Sequence, residues 1–136
     1  MTRVFADTGY WIALLTPQDA LHKEAHRLLA TLTGVEIVTS DWVLIELLKG
    51  FAARGPHLRS IVSNAVSSLR TNPKVTVEPQ MGDAFGNAFR LNCDRADKDW
   101  SMTDCSSFLI MWHYGVDSAL TQDRHFEQAG FQALMR

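Results

Sequence analysis

The chain has 136 residues, 46% of them hydrophobic and 21% charged, with a formal net charge of −2. That length suits one domain over residues 1–136, able to bury roughly two-thirds of its unfolded surface. The composition excludes a disordered chain, and the lack of an overall positive field excludes a simple basic binder of nucleic acid.

The elements are expected in strand–helix alternation. Residues 3–6 read as a first strand, and residues 9–15 as a short apolar helix stopped by Thr16 and Pro17. The apolar positions Leu21, Ala25, Leu28 and Leu29 predict a helix over 18–32, closed by Gly34. A second strand follows at 36–39. Ser40 or Asp41 then caps a helix that runs to about Ala53. Another helix covers 57–69, and residues 74–78 alternate as a strand. A weaker helix spans 82–92, and 93–100 reads as an exposed loop. Ser101 and Asp104 have the spacing of a capping box, which starts an apolar helix to Tyr114. A strand at 118–121, a short helix at 123–129 and a last strand at 131–135 complete the pattern. Such alternation predicts an α/β fold: a mainly parallel sheet of about four to five strands, flanked by helices on both faces.

Two cysteines, Cys93 and Cys105, are too few for a disulfide framework, and no Cys/His zinc spacing occurs. No apolar run approaches the roughly 18–20 residues that cross a bilayer. Asp7 interrupts the N-terminal apolar stretch, against a signal-peptide core. A cytoplasmic protein without membrane contact is the expectation.

Ligands in parallel α/β sheets bind beyond the carboxyl ends of the strands. Four acids map there. Asp7 follows the first strand, Glu46 lies on the helix after the second, Asp104 opens the apolar helix, and Asp123 follows the strand at 118–121. Each has an innocent role open to it: Asp7, Asp104 and Asp123 as helix caps, Glu46 as a helix-rim residue. If the strands pair in parallel, the four converge. Crowded carboxylates repel, and a divalent cation resolves the repulsion. An all-oxygen donor set suits Mg2+ or Mn2+, whose chemistry points to a phosphodiester substrate. Without the four acids the remainder of the chain carries +2. Arg95, Lys98 and Arg124 lie close in sequence to the acids and are candidates for phosphate contact. His22 and His26 sit at i, i+4 spacing, which reads as a solvated helix face.

These residues carry a resemblance. Val4-Phe5-Ala6-Asp7-Thr8, Val43-Leu44-Ile45-Glu46-Leu47-Leu48, the stretch from Asp99 to Phe108 around Asp104, and Thr121-Gln122-Asp123-Arg124-His125-Phe126 resemble, in order, the four acidic motifs of PIN domains. The match is to the VapC-type toxins and covers nearly the whole chain. It implies an Mg2+- or Mn2+-dependent endoribonuclease with Asp7, Glu46, Asp104 and Asp123 as metal-binding and catalytic acids. Asp99 is a fifth candidate, and Thr8 and Thr121 are supporting residues. It implies hydrolysis by activated water, with His113 and His125 as weaker candidates for acid–base work. It also implies an RNA substrate, a cognate antitoxin and a homodimer. Trp11, Trp42 and Phe51, if exposed, could line an antitoxin groove.

Two other readings stay open. A Mg2+-dependent phosphatase with an aspartyl nucleophile usually carries a second Asp two residues on, where this chain has Gly9. A non-catalytic PIN-like module that binds RNA or protein would not need all four acids.

Overall fold

The computed structural model describes residues 2–136. Five strands form one sheet: β1 (Arg3–Ala6), β2 (Glu36–Ser40), β3 (Val75–Glu78), β4 (Ser118–Leu120) and β5 (Gln132–Ala133). Their order is β3-β2-β1-β4-β5, and every pairing is parallel. Seven helices among the described residues flank it: α1 (Thr8–Leu15), α2 (His22–Ala30), α3 (Asp41–Phe51), α4 (Pro56–Thr71), α5 (Ala84–Asp94), α6 (Met102–Tyr114) and α7 (Arg124–Gln128). The expected α/β class and parallel sheet are observed.

Burial explains the central strands. Val4, Phe5 and Ala6 are all fully buried, as are Ala119 and Leu120 beside them. Strands covered on both faces read as continuous apolar runs rather than alternating ones. Phe5 stands opposite Ala119 and Ala6 opposite Leu120. The ladder continues one step past the strands, where Asp7 N–H donates to Leu120 O at 3.3 Å. The strand order reverses direction between β1 and β4. Crevices open at such a switch point, on the carboxyl edge of the sheet.

Several boundaries differ from expectation. α2 begins at His22, not Gln18. Asp19 Oδ1 accepts from Leu21 N–H, and His22 N–H donates to Asp19 O, so a turn occupies the first positions. α5 reaches Asp94, two residues into the expected loop. The last strand shrinks to Gln132–Ala133. α6 starts on its capping box and stops at Gly115, whose φ of 66° is the left-handed conformation that glycine tolerates.

His26 is exposed, as expected of a solvated face, while His22 is half-buried, and both rings reach backbone carbonyls. Their rings lie 4.4 Å apart, with His22 Nδ1 2.8 Å from Ala13 O and His26 Nε2 3.2 Å from Leu14 O. They serve the orphan carbonyls at the end of α1. Trp11 and Phe51 are buried, at 3% and 2% exposure, and line no groove. Cys105 is buried, Cys93 is exposed, and both are free thiols.

Candidate active site

The site lies where β1 and β4 end. Asp7 is the N-cap residue of α1, yet its side chain makes no capping bond. Its Oδ2 instead accepts the Thr121 hydroxyl at 3.0 Å. The same hydroxyl oxygen accepts Asp123 N–H at 3.0 Å. Thr121 is 1% exposed, so one buried hydroxyl fixes two acids that lie far apart in the chain. Burial pushes the Asp7 carboxyl up to about 7, with Asp104 and Asp123 adding to the rise. The Thr8 backbone N–H and the Thr121 hydroxyl oppose it.

Asp104 is held by local sequence. Ser101 Oγ accepts Asp104 N–H, and Asp104 Oδ2 accepts Ser101 N–H, each at 3.0 Å. The carboxylate that closes the capping box is therefore also the one facing the crevice. It is 8% exposed, and burial raises its pKa against the pull of Ser101 N–H and His125. Asp123 caps α7 by accepting His125 N–H at 2.9 Å.

Asp104, Asp123 and His125 each present a ligand atom within 4.8 Å of the others. Asp7 lies close enough for both of these acids to raise its pKa. Glu46, half-buried on α3, joins the cluster less directly: Thr8 Oγ1 donates to Glu46 Oε1 at 2.9 Å. Asp99 is exposed and, among the described residues, makes no hydrogen bond or ion pair. Arg95 forks onto Asp97 at 3.0 and 3.1 Å and lies over the Trp100 ring. Lys98 meets the same carboxylate at 3.9 Å. Arg124 is exposed and unpaired among the described residues. His125 is more deeply engaged than its sequence context indicated, since helix capping alone accounts for an Asp at 123.

The donor set fits a hard divalent cation. Asp104 Oδ1 and Asp123 Oδ2 carry no hydrogen bond among the described residues, while the other oxygen of each is fixed by N–H groups. Carboxylate oxygens without a hydrogen bond, beside the buried Asp104, are stabilised by an ion between them.

A groove of about 730 Å³ lies between α3, α5 and α6, and none of the four acids lines it. Trp42, one turn before Glu46, lines it with Leu109 and Ile110. The Trp42 and Phe85 rings stack at 6.3 Å, and Phe85 and Phe89 at 6.0 Å. Phe85 and Phe89 are more than half exposed.

No protein-family model matches the chain. The 23S rRNA-specific endonuclease VapC20 of Mycobacterium tuberculosis, found in two strains, is 31% identical over 128 residues, covering 94% of this chain and 95% of the relative. The crystal structure of M. tuberculosis VapC20, described as a sarcin-ricin loop cleaving toxin, superposes with a TM-score of 0.83 at 29% identity, over 94% of this chain and 95% of that one. FitAcB from Neisseria gonorrhoeae shares the fold, with a TM-score of 0.66 at 16% identity, covering 96% of this chain and 95% of that one. Identity of this extent, over a parallel sheet with acids gathered at its carboxyl edge, means that the chain belongs to the VapC family of PIN-domain ribonuclease toxins.

Proposed function

We propose that this ribonuclease is a divalent-cation-dependent endonuclease with Asp7, Glu46, Asp104 and Asp123 as its ligating and catalytic acids. The observation that carries the reading is the convergence of Asp7, Asp104 and Asp123 at the switch point, with raised pKa values on the first two. Mg2+ or Mn2+, when bound, supplies positive charge for the phosphate oxygens and acidifies water. The chain's own residues prepare the place. Thr121 sets the rotamer of Asp7, Thr8 ties Glu46 to the end of β1, and the Ser101 capping box fixes Asp104. Arg124 is the free cation nearest in sequence to Asp123 and the first candidate for a flanking phosphate; Arg95 and Lys98 are already engaged by Asp97.

The M. tuberculosis relative is named for 23S rRNA, and that RNA is the first substrate to try here. The test is cleavage of labelled 23S rRNA fragments, beside transfer and messenger RNA, with Mg2+, Mn2+ or EDTA. We expect cleavage with either ion and a loss of at least about 100-fold in EDTA. Cleavage that survives EDTA would remove the cation. Binding without cleavage in any condition would favour the non-catalytic module.

An antitoxin, a homodimer and a cytoplasmic location belong to the same reading. No helix among the described residues is long and apolar enough to cross a membrane. Sedimentation of the purified chain reads the dimer directly. For the antitoxin we favour the groove beside Trp42. Its lining sets Trp42, Leu109 and Ile110 among three acids, Glu78, Asp83 and Asp94, against one arginine, Arg90, and one histidine, His113, a net acidic balance that suits a segment both apolar and basic. Phe85→Asp is expected to weaken antitoxin capture roughly 10-fold or more while leaving RNA cleavage intact. Equal capture by this variant would place the antitoxin elsewhere.

A further inference from the structure

His125 makes contacts beyond the capping bond of α7. Its backbone N–H donates to Asp123 Oδ1 at 2.9 Å. Its ring Nδ1 lies 2.9 Å from Asp104 Oδ2 and 3.3 Å from Asp123 Oδ1. A carboxylate only accepts, so the nitrogen facing both oxygens carries the hydrogen. The side chain is only 19% exposed, and the next residue, Phe126, is fully buried and anchors the start of α7.

One residue thus bonds two acids from different elements. Asp104 is already fixed within α6 by Ser101, and Asp123 is fixed beside β4 by Thr121. Neither bond sets the distance between the two acids. The bonds from His125 do, because they span from α7 to α6. They also consume one oxygen of each carboxylate and leave Asp104 Oδ1 and Asp123 Oδ2 bare.

We propose that His125 is the positioning residue of this site, holding Asp104 and Asp123 at the separation that a divalent cation needs. The inference rests on the reading that these acids hold a cation. Partners that orient ligating carboxylates typically contribute 10- to 100-fold to metal affinity. The role belongs to Nδ1, which gives it a chemical signature. An asparagine amide nitrogen falls near the place of Nδ1, whereas a glutamine amide reaches toward that of Nε2.

The test measures Mn2+ binding to the full chain by the electron paramagnetic resonance of the free ion, with no RNA present. His125→Ala, His125→Asn and His125→Gln are compared with the parent, and a thermal melt checks that each is folded. We expect the alanine and glutamine variants to bind Mn2+ about 10- to 100-fold more weakly, and the asparagine variant to recover most of that loss. Parent-like binding by the alanine variant would overturn the proposal. So would an asparagine variant as weak as alanine, which would point to the ring as a ligand in its own right. A folded parent that binds no Mn2+ would overturn the cation reading itself, a result distinct from the other two.

Discussion

Asp7→Asn is expected to abolish RNA cleavage and, in the same molecule, to raise the stability of the ion-free protein. Asparagine keeps an oxygen to accept the Thr121 hydroxyl, so the local geometry survives. What it removes is a charge that the fold disfavours. The Asp7 carboxyl is pushed from 3.8 up to about 7, mainly by burial. Below about pH 4 both folded and unfolded chains hold the proton, and the substitution changes little. Between about pH 4 and 7 the unfolded chain ionises while the folded one does not, so parent stability falls as pH rises. Above pH 7 the whole cost is present. A shift of this size corresponds to about 4 kcal/mol, and the partial exposure of Asp7 reduces it to about 2–4 kcal/mol. For a domain of this length that is a Tm increase of roughly 6–15 °C at pH 8, vanishing near pH 4. A saturating divalent cation should narrow the gap by stabilising only the parent, by about 2.7 kcal/mol at 100 times its Kd. Thermal melts at pH 4.5 and 8, with EDTA and with Mg2+, check this. A Tm difference that ignores pH would refute the electrostatic account, and residual cleavage by the variant would refute the catalytic one.

Phe108→Ala is expected to cost about 3–5 kcal/mol, a large share of the 5–15 kcal/mol that holds a domain together. Phe108 is fully buried at the hub of an aromatic cluster. Its ring meets Trp100 at 4.9 Å and Phe126 at 5.0 Å, both edge to face, with Phe131 at 5.7 Å and Trp112 at 6.3 Å. Such pairs contribute about 0.5–1.5 kcal/mol each beyond the area they bury. The cluster also joins α6, one turn after Asp104, to α7, which carries His125. A cavity there should loosen the acids as well as the core. Urea denaturation at 15 °C gives the stability loss, and cleavage at the same temperature should fall in the fraction that remains folded. A loss under about 1 kcal/mol would mean that the neighbours close the gap completely.

The sheet and its acids were legible because their signals are local. A short apolar run ending in an acid marks β1 and Asp7, and the serine-to-aspartate spacing marks the start of α6. The order of the strands was not local, and it alone decides that Asp7 stands beside Asp123. The start of α2 was missed because the Asp19 side chain diverts the backbone into a turn, which hydrophobic periodicity does not register. Arg95 and Lys98 look free in the sequence, but Asp97 between them takes both. His125 sits in a closing motif whose aspartate draws attention first. Its link to Asp104 spans 21 positions, beyond any spacing rule. Trp11 and Phe51 show the same limit: a helix face reveals its apolar stripe, not what lies against it.

The pairing of β1 with β4 also has a consequence for the order of synthesis. Asp7 and Glu46 are synthesised well before Ser118. The strand that pairs with the other side of β1 begins only at Ser118, and β5, which covers the far edge of that strand, is made later still. A nascent chain that has not reached β4 therefore carries Asp7 without the Thr121 hydroxyl that orients it. The acids come together only once β4 has paired with β1, so assembly of the cluster depends on a long-range folding step and not on local structure.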